Sequence, residues 1–236
     1  MKKQKSRSLP TPTEQQFNAL NGAYQYFNQE LFNNQLPGCI LNFSRLKGTH
    51  GFLAPERWKR VGEKHFGTHE ISLTPTTLYR TPLEIFSTLV HEMCHLWQWD
   101  FGNPSRSGYH NKEWAVKMKE LGLIPSSTGN PGGKQTGQKM THYIEDGGGY
   151  QKAFNRMPKK HMLPFTSLEG EIMKSLIEGL EGSDNEVDER KKRLRKLRPV
   201  SRKKTKYSCP NCKANVWGKP ELKIRCENCD ELFAVK

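Results

Sequence analysis

Residues 81–99, TPLEIFSTLVHEMCHLWQW, contain the pattern that decides the fold. Pro82 stands where a helix would begin, because proline is favoured in the first helical turn. Apolar residues then recur at helical spacing and fall within about 100° of arc on a helical projection. The sequence therefore predicts a helix with one buried stripe, made of Phe86, Leu89, Val90, Met93 and Trp97.

The opposite side of this helix carries His91 and His95, roughly 160° from the centre of the apolar stripe. Side chains four positions apart lie one above the other, so both imidazoles can reach one ion. Glu92 lies beside them, and the three residues form the H-E-x-x-H pattern of zinc peptidases, in which the glutamate acts as general base. The alternative is a solvated pair of surface histidines.

A catalytic zinc site needs a third protein ligand, and the sequence offers one in GYHNKEW, residues 108–114. His110 begins a second predicted helix, whose buried stripe is Trp114, Met118 and Leu121. The intervening loop lets the chain turn back, so we predict His110 as the third ligand. The alternatives are the carboxylates of Glu113 and Glu120.

The last 28 residues contain four of the six cysteines, in two C-x-x-C pairs with thirteen residues between them. This spacing is close to that of a structural zinc site, in which two knuckles close a tetrahedral thiolate shell. The segment between the pairs predicts a hairpin turning at residues 218–220. Two disulfides are the alternative. The predicted ligands are Cys209, Cys212, Cys226 and Cys229, whereas Cys39 and Cys94 are predicted to be core residues.

Positive charge is concentrated at the ends of the chain, which has 236 residues and a net charge of +14. Residues 190–206 contain eleven Lys or Arg and no acid, and an acidic stretch precedes them. Such blocks predict a solvated linker that binds phosphates, with a plain tether or an acidic protein partner as alternatives. The sequence contains no run of 18 apolar residues, so no membrane span is predicted. The N-terminus lacks the apolar region of a secretory signal.

The rest of the sequence predicts a helix over residues 13–35, followed by short strands at 39–43, 50–55 and 69–74. Residues 126–150 are rich in Gly, Ser, Thr and Pro and predict a flexible lid or loop. From this loop His142 and Tyr143 could approach the metal, with packed or surface positions as the alternative. The histidines without a motif are interpreted as structural or exposed: His50, His65, His69 and His161.

Several of these pieces together resemble the SprT-like metallopeptidases, the group that includes Spartan proteases. The resemblance covers roughly residues 1–165 and 207–232, with the linker unmatched. Its core lies at about 14–124 and rests on AYQYFNQELFNNQLP, HEISLTP and TLVHEMCHLWQW, followed by a third histidine with an aromatic residue four positions later. Residues 122–148 resemble the extension of bacterial and phage relatives, and a four-cysteine zinc ribbon is common in the family. One difference is Asn111, where many relatives have glycine directly after the third histidine.

The resemblance implies that His91, His95 and His110 bind a catalytic zinc ion and that Glu92 is the catalytic base. It implies an α+β fold with a small zincin-like core, built from an N-terminal helix, a short antiparallel sheet and zinc-binding helices, plus the C-terminal zinc ribbon with its four cysteines. We therefore expect two zinc ions per chain. The expected organisation is a basic flexible N-terminus (1–10), a metallopeptidase domain (11–165), an amphipathic helix (166–182), a charged linker (183–206) and the ribbon (207–236).

The expected function is zinc-dependent hydrolysis of peptide bonds in proteins that are bound or crosslinked to DNA. DNA would be bound by the basic residues 190–206 and the ribbon, and the protein is expected to be a monomer. We expect a cytoplasmic location, at the nucleoid or in the host cytoplasm if a phage encodes the chain. The alternative function is a nucleic-acid-binding regulator with a structural or degenerate metal site.

Overall fold

Helices and short sheets alternate along the chain, and a computed structural model describes residues 9–46, 48–62, 67–172 and 204–235. The chain divides into two compact units, Met1–Leu180 and Glu181–Lys236. The predicted α+β class is confirmed. The predicted linker lies outside the described residues, except for residues 204–206.

The described part of the first unit contains four complete α-helices, the start of a further helix at residues 168–172, and five strands. In chain order they are α1 (Pro12–Phe32), β1 (Ile40–Phe43), β2 (Gly51–Lys59), β3 (Gly67–Leu73), α2 (Pro82–Phe101), α3 (Lys112–Glu120), β4 (Leu123–Ser126), β5 (Thr141–Ile144) and α4 (Gly149–Arg156). Short 3-10 turns occur at Pro75–Thr77 and Lys159–His161.

The two long helices begin with the same local sequence, Thr-Pro-x-Glu. Thr11 caps α1 and Thr81 caps α2, and in each case the threonine side chain accepts from the backbone N–H of the glutamate three residues later. The glutamates Glu14 and Glu84 bond back to the cap residue, which completes a capping box. These caps fix where each helix starts, and so fix the positions of the histidines along α2.

The first sheet has the strand order β1-β3-β2, with β3 in the centre. Strands β2 and β3 are antiparallel as predicted, but β1 pairs parallel with β3, so the predicted antiparallel sheet is in fact mixed. Strand β2 occupies one edge of β3, so β1 pairs along the opposite edge, where it runs in the same direction as β3. Strand β2 is therefore an edge strand, and its register shifts between Ala54 and Trp58.

The central helix α2 contacts β2 and β3 of the sheet as well as α1, α3 and α4. Phe86, Leu89, Val90 and Met93 of the predicted stripe are fully buried, and Trp97 is partly buried. On the histidine side of α2, His91 is only 8% exposed and His95 is half-buried. The interpretation of His91 and His95 as solvated surface residues is therefore wrong.

The segment predicted as a flexible lid forms ordered structure around a two-stranded antiparallel sheet. Strand β4 pairs with β5 in a register that places Pro125 opposite His142. The connecting loop is closed by a backbone bond of 2.8 Å from Ser127 N–H to Lys134 O. The Ser126 hydroxyl donates to Asn130 O at 2.6 Å. His142 is thus held on a strand instead of a mobile loop.

The second unit contains five short strands in its described part: β6 (Thr205–Ser208), β7 (Asn215–Gly218), β8 (Arg225–Cys226), β9 (Glu231–Leu232) and β10 (Ala234–Val235). The predicted hairpin turning at 218–220 is wrong, because β7 pairs with β6 and β8 pairs with β9. Tyr207 explains this pairing. Its buried hydroxyl donates to Lys219 O and accepts from Leu222 N–H, which ties the turn to β6.

The predicted amphipathic helix is described only at its start, where residues 168–172 are helical. The remainder of 166–182 lies outside the described residues. Among the helices that the structure describes, none has the length and apolar character needed to cross a membrane.

Candidate metal centre and cleft

Three histidines from two parts of the chain meet beside α2. His91 and His95 lie one helical turn apart, with ring centroids 5.1 Å from each other. The ring of His110, just before α3, lies 5.4 Å from His91 and 4.7 Å from His95. One ring nitrogen of each residue lies within 4.8 Å of the other two. This grouping could hold one metal ion.

His110 is held in place by a β-bridge to Gly137, with two backbone hydrogen bonds of 2.9 and 3.0 Å. Its Nδ1 lies 3.2 Å from Gly137 O, and because a carbonyl can only accept, Nδ1 carries the proton. The lone pair of the neutral ring is then on Nε2, where a metal would need it.

Asn111 couples this histidine to both helices. Its side chain caps α3 by accepting from Trp114 N–H at 3.0 Å, and it also accepts from Gln98 Nε2 of α2 at 2.7 Å. The asparagine that replaces the glycine of many relatives therefore anchors the loop that carries His110.

The indole of Trp114 is in contact with all three histidines. Its centroid lies 4.9 Å from the ring of His91, 5.2 Å from His95 and 4.5 Å from His110, and the residue is fully buried. Through this contact the first turn of α3 packs against the histidine group.

We expect Trp114→Ala to lower the free energy of unfolding of the first unit by about 3–5 kcal/mol, because it leaves a cavity where the indole now packs against the three histidine rings. Urea unfolding measures this change. The control is Trp99→Ala on α2, where the indole is 41% exposed and a cost of about 1 kcal/mol is expected. Equal effects of the two substitutions would contradict the proposed support.

Burial keeps the candidate ligands neutral. It lowers the pKa of His91 well below its usual value, with a further contribution from the neighbouring His95. Burial and the charge of His110 lower the pKa of His95 to about 3. The pKa of His110 is also lowered by burial. At neutral pH the three rings therefore present lone pairs instead of positive charges.

Glu92 is buried beside the histidines, and burial raises the pKa of its carboxyl to about 8, although a hydrogen bond from the Leu53 backbone opposes the shift. Strand β2 comes very close here. A Cβ at Gly51 would lie 3.3 Å from Glu92 Oε1 and 2.9 Å from Ser72 O, so glycine allows the approach. Glu92 thus lies between the histidine group and the edge strand.

A cleft of about 790 Å³ opens over these residues. Its walls come from the start of β2, the loop before α3 and the segment around β5, and its floor includes all three histidines and Glu92. Among the histidines without a motif, His50 also lines the cleft, which the sequence did not signal. Burial and the nearby Arg80 lower the pKa of His50 to about 4.

His142 lies close to the three-histidine group, as the sequence suggested. It contacts His91 but is not itself one of the candidate ligands. Its Nδ1 lies 3.2 Å from Nδ1 of His91, and its Nε2 lies 2.8 Å from the Ser87 hydroxyl. Burial lowers the pKa of His142 to about 3. Its neighbour Tyr143 pairs with Ile124 in the β4–β5 sheet.

The two carboxylates considered as alternative ligands have other partners. Glu113 accepts from Gln98 Nε2 and from Asn103 N–H, both at 2.7 Å. Glu120 pairs with Lys117 at 3.3 Å. Within the described residues, neither belongs to a group that could hold a metal.

The other histidines are accounted for in part. His69 is buried, and its Nε2 lies 3.3 Å from Asp100 Oδ1. The ring of His161 lies against Gly22 of α1, where a Cβ would meet it. His65 lies outside the described residues.

The four cysteines of the second unit form the other candidate metal group, with all Sγ atoms within 4.8 Å of one another. The Sγ atoms of Cys212 and Cys226 are 3.6 Å apart, close to the spacing of about 3.8 Å in a tetrahedron with Zn–S bonds of about 2.3 Å. All six cysteines lie in the described residues and none forms a disulfide. Of the two predicted core cysteines, Cys94 is buried and Cys39 is half-buried.

Fold and site together define an α+β domain whose central helix supplies two histidines of a candidate three-histidine metal centre. Residues 20–134 match the model of the SprT-like family. This match confirms the resemblance seen in the sequence.

One similar curated protein is an uncharacterized protein in the mucB 3' region of Salmonella typhimurium. It is 39% identical over 51 residues, which make up 22% of this chain and 66% of that protein. No solved structure matches the chain significantly.

Proposed function

We propose that the chain is a zinc-dependent endopeptidase. The observation that carries the proposal is the group of three neutral histidines with Glu92 beside it, on the floor of a cleft that an edge strand borders. A purely structural zinc site is normally closed by four protein ligands. The three-histidine set instead leaves a position for a water molecule or a substrate.

The residues present fit zinc. Neutral imidazoles at this spacing are typical ligands of a catalytic zinc ion, and four thiolates are typical ligands of a structural one. A zinc ion bound by His91, His95 and His110 would supply Lewis acidity and lower the pKa of a water molecule to about 7.

Glu92 is proposed as the general base. Its carboxylate would accept a proton from the attacking water and deliver it to the nitrogen of the leaving amine. Burial raises the pKa of this carboxyl, and a zinc ion bound beside it would favour the ionised form that accepts the proton. The backbone bond from Leu53 helps to hold the group at the cleft floor.

The start of β2 is the proposed place for the substrate backbone. An extended peptide can add to an exposed sheet edge through main-chain hydrogen bonds. Residues 51–53 of this edge strand line the cleft next to Glu92. A peptide paired there would place a scissile bond beside the base and the histidine group.

The proposed substrates are proteins bound or crosslinked to DNA. Support comes from the basic run 190–206 in the sequence and from one feature of the ribbon. There Trp217 is 60% exposed, and Lys206 Nζ lies 5.8 Å from its ring centroid. An exposed indole beside a lysine suits a nucleic-acid surface, because bases stack on aromatic rings while phosphates meet the cation.

We expect zinc-loaded chain to cleave a DNA-binding protein faster when DNA is present. The basic run would hold enzyme and substrate on the same DNA and so raise their effective concentration. Gel analysis of cleavage with and without DNA tests this, beside a variant in which the basic residues of 190–203 are replaced by glutamine.

That variant should lose the stimulation by DNA and keep its basal cleavage, and the stimulation should weaken steeply with salt. Cleavage that is indifferent to DNA would contradict the proposed substrate class and leave the peptidase intact. If zinc-loaded chain binds DNA but cleaves no protein, the nucleic-acid-binding regulator is the better description.

A further inference from the structure

His142 of β5 contacts His91 but is not part of the ligand group that His91 forms with His95 and His110. The two Nδ1 atoms are 3.2 Å apart, and the ring centroids are 5.3 Å apart. We propose that His142 is a positioning residue, which fixes the tautomer of His91 and so presents the Nε2 lone pair of His91 to the metal. This inference rests on the metal site proposed above.

The direction of the protons can be followed from the far end of a hydrogen-bonded chain. The carbonyl oxygen of Glu84 can only accept, and the Ser87 hydroxyl lies 2.9 Å from it. When Ser87 donates to this carbonyl, its single proton is used. Its oxygen must then accept from Nε2 of His142, which lies 2.8 Å away.

A neutral imidazole carries one proton, so His142 protonated on Nε2 has a lone pair on Nδ1. That lone pair faces Nδ1 of His91 and can only accept from it. His91 is then protonated on Nδ1, which leaves Nε2 as its ligand atom. The chain runs in one direction, from His91 through His142 and Ser87 to the carbonyl of residue 84.

The opposite proton order is incompatible with metal binding through Nε2. If Ser87 donated to His142, then His142 would donate from Nδ1, and His91 would have to carry its own proton on Nε2. Zinc binding and the proton order of the chain are therefore coupled, because each requires the same tautomer of His91.

Two candidate ligands, His110 and His91, are each held in one tautomer, but by different partners. A backbone carbonyl, that of Gly137, orients His110 directly. His91 has a second imidazole in the corresponding place, and that imidazole takes its own direction from Ser87. Partners of this kind typically change metal affinity by about 10–100-fold when they are removed.

The first test needs no substitution. In zinc-loaded full-length protein with ¹⁵N-labelled histidine, long-range ¹H–¹⁵N spectra report which ring nitrogen carries the proton. We expect His91 to be protonated on Nδ1 and His142 on Nε2. A proton on Nδ1 of His142 would overturn the proposal.

The second test measures zinc affinity by competition with a chelator. His142→Phe keeps a ring of similar size but offers no acceptor, so we expect a loss of about 10–100-fold. His142→Asn keeps an acceptor near the Nδ1 position and should bind zinc almost as wild type does. Ser87→Ala should show a loss smaller than that of His142→Phe.

The control is His161→Phe, which makes the same change at a histidine that lies against Gly22 of α1, outside the cleft, and should leave zinc affinity unchanged. Zinc bound by the four cysteines of the ribbon serves as an internal reference, and thermal unfolding reports whether each variant folds. Wild-type affinity in His142→Phe would overturn the positioning role. A wild-type chain that binds zinc only at the cysteines would instead overturn the proposed peptidase site.

Discussion

Replacing Glu92 by Gln is expected to lower the rate of peptide hydrolysis by about 10²–10⁴-fold, the usual contribution of a general base. The amide has nearly the same shape but cannot accept a proton from water. Zinc content should not change, because Glu92 is not among the residues grouped as ligands. The rate of cleavage and the zinc per chain, measured on the same sample, check both statements.

The substitution should not destabilise the protein. Burial raises the pKa of Glu92 to about 8, which means that the charged form is disfavoured in the folded chain. A neutral amide removes that cost, so the thermal midpoint should stay the same or rise. The matched control is Glu120→Gln on the exposed side of α3, which should retain full activity. Full activity in Glu92→Gln would instead rule out the proposed mechanism.

Replacing Cys209 by Ser is expected to unfold the second unit while the first stays folded. Structural zinc sites contribute roughly 10–16 kcal/mol of binding free energy, which in small modules is folding free energy. The described strands of this unit are only two to four residues long. The described residues of this unit bury little besides Tyr207, Ser208, Cys209 and Cys226.

Backbone NMR shifts of residues 204–235 should collapse toward unfolded values in this variant, and the zinc content should fall from two ions per chain to one. Cys39→Ser, at a half-buried cysteine of the other unit, is the matched control and should keep both ions. Retention of the ribbon shifts in Cys209→Ser would mean that the metal does not hold this unit together.

The helices could be predicted well because their signals are local. Thr81, Pro82 and Glu84 specify the start of α2 within four residues, and the apolar spacing specifies its buried side. The grouping of His91 with His95 follows from helical geometry alone. The prediction of His110 as the third ligand required the loop after α2 to turn the chain back. In the structure a ring nitrogen of His110 lies within 4.8 Å of those of His91 and His95.

The errors concern pairings between distant segments. The parallel pairing of β1 with β3 depends on the path that the chain takes between the two strands, which the residues of the strands do not specify. The hairpin of the second unit depends on Tyr207, whose hydroxyl binds the turn twelve residues away. Periodicity within a segment carries no information on these choices.

The segment 126–150 shows a different limit. Its glycines and prolines suggest mobility, but hydrogen bonds between residues such as Ser126 and Asn130 give it a defined loop. His50 had no motif because its place on the cleft comes from the turn before β2 and not from its sequence neighbours.

The bridge from His110 to Gly137 and the contact of His142 with His91 both cross the limit of the family match, which ends at residue 134. A fragment trimmed to the matched region would keep every candidate ligand of the histidine group. It would lose Gly137, which orients His110, and His142, which contacts His91. If the histidine group binds a metal as proposed, we expect the smallest fragment that holds a well-ordered ion there to extend at least through β5. Domain boundaries drawn from sequence similarity alone would separate the candidate ligands from the residues that hold them in place.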